Sequence, residues 1–194
     1  QASMTQRAGR AGRVMPGICL HLVAQEQASR APAQSEAEIL HSDLTSLWLE
    51  LLQWGCTRID QLQWIDLPPE KHLRAARQQL LRLGALDDQG HLNAQGRRMA
   101  QLGSDARLSA MLCAAGGDAD AVASAALLVA ILEDPPRSAS VDLRDALYRP
   151  SPQWQRRAQH WQKRIGVLGG RVDEDRFAAL LTAGFSDRVA RRRD

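Results

Sequence analysis

The sequence predicts a mainly α fold, on three observations. Apolar residues recur at helical spacing over most of the 194 residues. The order helix, helix, small hairpin, helix stands between Glu36 and Gln101. Beyond Asp105 the helical pattern runs almost without interruption, and its alanine-rich segment Ala119 to Leu132 is apolar on most sides, as expected of a central helix in a bundle.

The elements follow from the N-terminal end. Ser3 to Arg13 reads as a short helix, with Ser3 and Gln6 at capping-box spacing and Pro16-Gly17 as its stop. Ile18 to Val23 has β-character and is predicted as a strand near the end of a sheet, and Gln25 to Ser35 as a polar connector. From Glu36, Ile39, Leu40, Leu44, Leu47, Trp48, Leu51 and Leu52 share one broad helical face that ends at Gly55. A second helix starts near Glu70 after Pro68-Pro69 and runs to Gly84, a natural C-cap. Leu86 and Leu92 flank Asp87-Asp88-Gln89-Gly90, which predicts a tight β-hairpin, and Asn93 caps the next helix. That order is the one expected of a winged helix. Further helices are predicted over 108–115, 119–132, 143–148, 154–165 and 177–192, with loops at 138–140 and 166–170.

Composition bounds the function classes. At 44% hydrophobic residues the chain can bury a real core, and no run of about 18 apolar residues exists to cross a bilayer, so no membrane partner is expected. Cys19, Cys56 and Cys113 are far apart and odd in number, which fits reduced thiols in a cytoplasmic protein, read as small buried hydrophobes, better than disulfides or a zinc site. The five histidines have no paired metal-ligand spacing, so no metal site is expected within the chain. Asp87-Asp88 and Asp173-Glu174-Asp175 read as turn and helix-start acids. The formal net charge is only +3, but Lys71 and Lys163 are the only lysines among 25 basic residues. Arginine reads phosphate and carboxylate bidentately; a GC-rich coding sequence gives the same bias, so the count decides nothing.

Spacing says more. In "QRAGRAGR", Gln6, Arg10 and Arg13 stand at i, i+4 and i+7, within an arc of about 60° on a helix. Gly9 and Gly12 cost about 1 kcal/mol each in helix propensity, so this backbone is expected to be approached closely. Arg7 points about 100° away from Gln6 and is assigned a structural contact. Two guanidinium groups and a carboxamide on one face suit phosphoryl transfer, where arginines neutralise spreading charge and a glutamine orients the attacking water.

The octapeptide resembles motif VI, QRxGRxGR, of the DEAH-box superfamily 2 RNA helicases. "GICLHLVA", "SEAEILHSDLTSLWLELLQWG" and "LPPEKHLRAARQQLLRLGALDDQGHLNAQGRRMAQLGSDARLSAMLCAA" are similar, in order, to the parts that follow in that family. "LEDPPR" and "FSDRVARRRD" point to one bacterial branch. The resemblance implies the end of a second RecA-like α/β domain over residues 1–28, a winged helix with a small β-hairpin over 29–101, and a helical-bundle, ratchet-like domain over 102–194. It implies ATP with Mg2+ as cofactor, held mainly by upstream RecA-like domains of the same polypeptide, and single-stranded or duplex RNA as partner. Gln6, Arg10 and Arg13 would be both catalytic and nucleotide-contacting, the arginines acting as fingers.

Near the junction of winged helix and bundle, Arg97, Arg98 and Arg107 are candidate contacts to RNA phosphates, with solvated surface arginines as the alternative reading of each. Trp48, Trp54 and Trp64 are candidates to stack on bases or to belong to the core. The chain carries no GxxxxGKS or GxxxxGKT phosphate loop and no DEAH quartet, so it is expected to be a fragment starting at motif VI, inactive by itself. The basic run Arg191 to Arg193 is expected to continue into further chain. The rival reading is a non-catalytic winged-helix module whose arginine helix binds nucleic-acid phosphates.

Overall fold

The computed structural model describes residues 2–34, 36–137 and 142–190. The chain divides into two compact units: residues 1–42 with 65–68, and residues 43–64 with 69–194.

The first unit is small. Helix α1 spans Ala2–Ala11, one residue earlier than Ser3 could cap, so Ser3 lies in the first turn. Its start is tied down by the Ala2 N–H, which donates to the Ala33 carbonyl at 3.0 Å. Beyond Gly12 the chain folds back, and Gly17 passes so near the helix end that a Cβ there would lie 2.0 Å from the Ala11 carbonyl oxygen. The predicted strand does not form. Residues 18–22 form neither helix nor ladder, with Ile18, Leu20 and Leu22 at 89%, 82% and 99% exposure, because no other strand is present among the described residues of this unit to pair with. The predicted connector is instead helical over its first half, α2 at Gln25–Arg30, whose ends are joined by an Arg30–Glu26 pair at 2.6 Å.

The single helix expected from Glu36 is broken. A 3-10 turn at Glu38–Leu40 closes the first unit's segment, and in the second unit α3 begins at Thr45. Asp43 causes the break, since its carboxylate accepts from the Thr45 N–H at 2.8 Å and from the Thr45 hydroxyl, competing with helix continuation. Helix α3 (Thr45–Gln53) and helix α4 (Glu70–Arg82) end alike. Gly55 and Gly84 take φ of +86° and +67°, and the next N–H in each case reaches back to Leu51 and Leu80, both at 2.9 Å. The hairpin is reduced to one antiparallel bridge, Leu86 to Leu92, with Asp87 accepting from the Gln89 and His91 N–H groups. Those bonds hold the Asp87 carboxyl below its ordinary range. Asn93 then does three things: it accepts from the Gly96 N–H at 2.9 Å as N-cap of α5 (Ala94–Leu102) and donates to the carbonyls of Gly84 and Leu86.

Helix α6 (Ala106–Ala114) starts on Asp105, and α7 (Ala119–Glu133) on Asp118, whose carboxylate accepts from the Ala121 N–H at 2.8 Å. Every residue of α7 from Ala121 to Ile131 is buried, which makes it the central helix its composition predicts. Around it stand α8 (Arg144–Tyr148), α9 (Pro152–Ile165) and α10 (Phe177–Phe185). The last helix stops well before the predicted Arg192 and passes into a 3-10 turn at Ser186–Arg188. The loop predicted at 138–140 and the basic run 191–193 lie outside the described residues.

Two apolar cores fill this unit. One joins Leu49, Leu80, Leu86, Leu92 and Met99; the other gathers Leu112, Leu128, Ile131, Trp161 and Leu180 around α7. Helix α6 serves both. Its Ala106 and Ala110 pack into the first core and Leu108, Met111 and Leu112 into the second, so the winged-helix-like half and the bundle share an element. Small side chains on one stripe let α6 approach closely, while large ones fill the opposite core.

Candidate functional site

Helix α1 presents Gln6 and Arg10, one turn apart and both exposed. Arg13 is not on the helix: α1 ends at Ala11, and Arg13 stands in the following turn, also exposed. The i+7 placement therefore fails for Arg13, because Gly9 and Gly12 fall where the helix must hold its last turn. A Cβ added at Gly9 or Gly12 would meet nothing within 4 Å, so the close approach expected there is made by no described residue. The helix contains no acidic residue. Its donors (a carboxamide and guanidinium groups with no carboxylate among them) fit the oxygens of a nucleotide triphosphate and do not fit a magnesium ion.

The three basic candidates in the second unit have different surroundings. Arg97 is exposed and one of its guanidinium nitrogens donates to the Leu92 carbonyl, which fastens it across the hairpin. Arg98 is exposed and lines a cleft between α5, α6 and α9 together with Arg164. Arg107 is committed. Its guanidinium grips Asp187 through two bonds of 2.6 and 2.9 Å, donates to the Gly184 carbonyl at 3.1 Å and lies over the Phe185 ring. With only 13% of its side chain exposed it caps the C-terminal end of α10. That cap explains why α10 ends where it does, and neither Asp187 nor Gly184 is legible as its partner from the sequence, some eighty residues away.

Arg107 beside Asp187, chiefly through their hydrogen bonds, holds that carboxyl at about 2. A carboxyl depressed in the folded state contributes stability above its unfolded pKa of about 4, and that contribution disappears as pH falls through the folded value. Asp187→Asn is therefore expected to melt below the wild type by a constant margin above about pH 4, and the margin is expected to close towards pH 2. Melting curves across that range check it, and a margin independent of pH would contradict the pairing.

Of the tryptophans, Trp48 packs half-buried against the first core and Trp64 donates its Nε1–H to the Ile59 carbonyl at 2.8 Å. Only Trp54 of the three stands out, 79% exposed. The cysteines depart from the buried reading: Cys19 is exposed, Cys56 is half-buried, and Cys113 is half-buried between the two cores, where burial pushes its thiol up. Asp87, Asp118 and Asp173 cap turns and helices. Among the described residues no cluster of three His, Cys, Asp or Glu side chains is placed to hold a metal, and no helix is long and apolar enough to cross a membrane.

Comparison with known proteins bears on all of this. The model of the family described as "Helicase associated domain (HA2), winged-helix" matches residues 76–103, which hold most of α4, the hairpin and α5. Over 193 residues, all of this chain, the sequence is 56% identical to the ATP-dependent RNA helicase HrpB of Escherichia coli (strain K12). The chain is homologous along its whole length to a part of the HrpB-type RNA helicases. It spans only 24% of the length of that relative. A crystal structure of the Escherichia coli DEAH/RHA helicase HrpB superposes with a TM-score of 0.87 at 55% identity, over 99% of this chain and 24% of the other. An ATP-dependent RNA helicase HrpA homolog from Haemophilus influenzae is 35% identical over 122 residues, 59% of this chain and 9% of its own. The mainly helical HrpB-type architecture is thus common to this chain and a solved relative.

Proposed function

We propose that this chain works within an ATP-dependent RNA helicase, supplying motif VI and the winged-helix and bundle segments that guide RNA. The observation that carries the reading is "QRAGRAGR", begun on an exposed, carboxylate-free α1 and finished in the turn after it, in a chain 56% identical throughout to HrpB. In the proposed assignment residues 1–28 end a second RecA-like domain, 29–101 are the winged helix and 102–194 the ratchet-like bundle. The phosphate bed and the ligands of Mg2+ come from upstream RecA-like domains of the same polypeptide, in the cytoplasm.

Gln6 orients the attacking water, while Arg10 and Arg13 neutralise the charge that grows on the transferring phosphoryl group. Arg13, on its turn beyond the helix, swings to its target on a flexible stem, and Arg10 is placed by α1. Hydrolysis then drives motion that the winged helix and bundle convert into translocation on RNA. Arg97 and Arg98 keep a phosphate-contact role in this scheme. Arg107, occupied by Asp187, is reassigned as the clamp that sets the end of α10.

The rival, a winged-helix module that only binds nucleic acid, predicts strongly salt-dependent binding and no role for Gln6. Gln6→Glu in the full-length protein separates them. RNA-stimulated ATP turnover is expected to fall about 100-fold or more, with RNA affinity held within about twofold. Wild-type full-length protein with no RNA-stimulated turnover would overturn the helicase reading.

A further inference from the structure

The cleft that contains Arg98 brings two arginines to one small site. Helices α5, α6 and α9 border a cleft of about 170 Å3 between Arg98, Gln101, Leu102, Leu112, Cys113, Arg164 and Ile165, and none of these residues is acidic. Several arginines of this unit are neutralised by carboxylates: Arg107, Arg144, Arg157 and Arg176 each pair with an aspartate or glutamate. Among the described residues neither Arg98 nor Arg164 has such a partner. Two guanidinium groups on one small cleft repel each other unless an anion lies between them.

The rear of the cleft is built to hold one of them. Arg164 donates through Nη2 to the Gln101 carbonyl at 3.0 Å, at the C-terminal end of α5. The adjoining Gly103 adopts φ +61°, and a Cβ there would stand 3.1 Å from the same nitrogen. The left-handed backbone there favours glycine, and the guanidinium packs closely beside it. One Arg164 nitrogen is used in this way, and the guanidinium that lines the cleft carries four further N–H donors. Leu102 and Leu112, at 9% and 1% exposure, form an apolar floor with Ile165. Guanidinium groups around an apolar floor suit a ligand with a compact anion on a partly apolar body.

We propose that this cleft binds the phosphate group of a nucleotide, with Arg98 and Arg164 around the phosphate oxygens and the sugar edge over Leu102, Leu112 and Ile165. The chemistry stands on the cleft alone. The identification of the source as a single-stranded RNA, as against a free mononucleotide, rests on the helicase reading.

The test uses full-length protein and two readouts. In the first, anisotropy of a labelled uridine 12-mer measures affinity against salt for the wild type, Arg98→Ala, Arg98→Lys, Arg164→Ala and Arg164→Lys. Each alanine variant is expected to lose about fivefold in affinity and to lower the salt slope by about one, with lysine restoring the slope but only part of the affinity. The Arg164→Lys variant keeps a donor for Gln101 and guards against loss of folding. In the second, Cys113 reports on the cleft it lines: its alkylation by iodoacetamide, read by mass spectrometry of its peptide, is expected to slow several-fold when the ligand is bound.

Separate arms with the 12-mer, adenosine monophosphate and inorganic phosphate distinguish the sources. Protection by the 12-mer with loss in the variants identifies a strand; protection by adenosine monophosphate or phosphate alone identifies a free anion and still supports the site. No protection in any arm, with variants that bind as the wild type does, overturns it. If the wild type hydrolyses ATP on RNA while the variants are silent, only the cleft proposal falls. If it neither binds RNA nor turns over ATP, the helicase reading falls and the other two arms decide the cleft.

Discussion

Arg10→Ala and Arg13→Ala, each in the full-length protein, are expected to lower kcat for RNA-stimulated ATP hydrolysis about 10³-fold or more, the range in which arginine fingers act. The loss should fall on kcat with KM little changed, because in the proposed assignment the charge they neutralise exists mainly in the transition state. The fold gives no reason for either change to act through stability. Both side chains are exposed and no residue of α1 is buried, so melting temperatures should match the wild type. Arg10→Lys and Arg13→Lys keep the charge but lose the planar fork, and intermediate losses are expected from them. Steady-state turnover with RNA affinity measured alongside decides the matter. Losses of less than tenfold at both positions, or losses in RNA binding of the same size as those in turnover, would show that these arginines hold nucleic acid and not the reacting phosphate.

The helix-forming segments were legible where apolar period and caps agreed. Asn93, read as a cap, lies one residue before α5 and accepts an N–H of its first turn; Asp105 and Asp118 do the same for α6 and α7 without having been read as caps. Helix α9 opens at Pro152, one residue after its cap Ser151 and two before the predicted start. Where the period was right but a competing local bond was present, sequence reading overran, as at Asp43, whose carboxylate ends one turn and starts α3. The strand at Ile18 to Val23 was overread for a different reason: β-character is a property of side chains, whereas a strand needs a neighbour's N–H and carbonyl groups.

The candidate site divides in the same way. Local sequence placed Gln6 and Arg10 a turn apart on one helix, but could not foresee that two glycines would end it before Arg13. Pairings across the fold were out of reach. Nothing near Arg107 in sequence announces Asp187, and nothing near Arg98 announces Arg164, because both pairings join residues from separate helices brought together by tertiary packing. The one signal for such approaches is glycine, and it is ambiguous: Gly9 faces open space, while Gly96 and Gly184 sit against a neighbouring carbonyl.

That ambiguity makes Gly96→Ala the most informative change in the second unit. Helix propensity alone favours alanine in α5 by about 1 kcal/mol. Against it, the new Cβ would lie 2.1 Å from the Ala85 carbonyl oxygen and 2.9 Å from Leu92 Cδ2. Leu92 can turn aside, but Ala85 cannot. Its carbonyl accepts from Asn93 at 3.1 Å and its own N–H donates to Leu80 at 2.9 Å, so it is fixed by the hairpin and by the cap of α4 together. The steric term should therefore win, leaving a net loss of about 2 to 3 kcal/mol. For a chain of this size that is a fall in Tm of roughly 5 to 10 °C. Gly9→Ala is the control, since open space leaves only the propensity gain and α1 should become slightly more helical. Arg97 and Arg98 follow Gly96 directly on α5, so a helix pushed off the hairpin moves both away from their positions. Gly96→Ala should then weaken RNA binding even under conditions where the protein remains folded. If it leaves Tm unchanged or raises it, the spacing between α5 and the hairpin is not set by this glycine, and the placement of Arg97 and Arg98 must depend on the packing of Met99 and Leu102 alone.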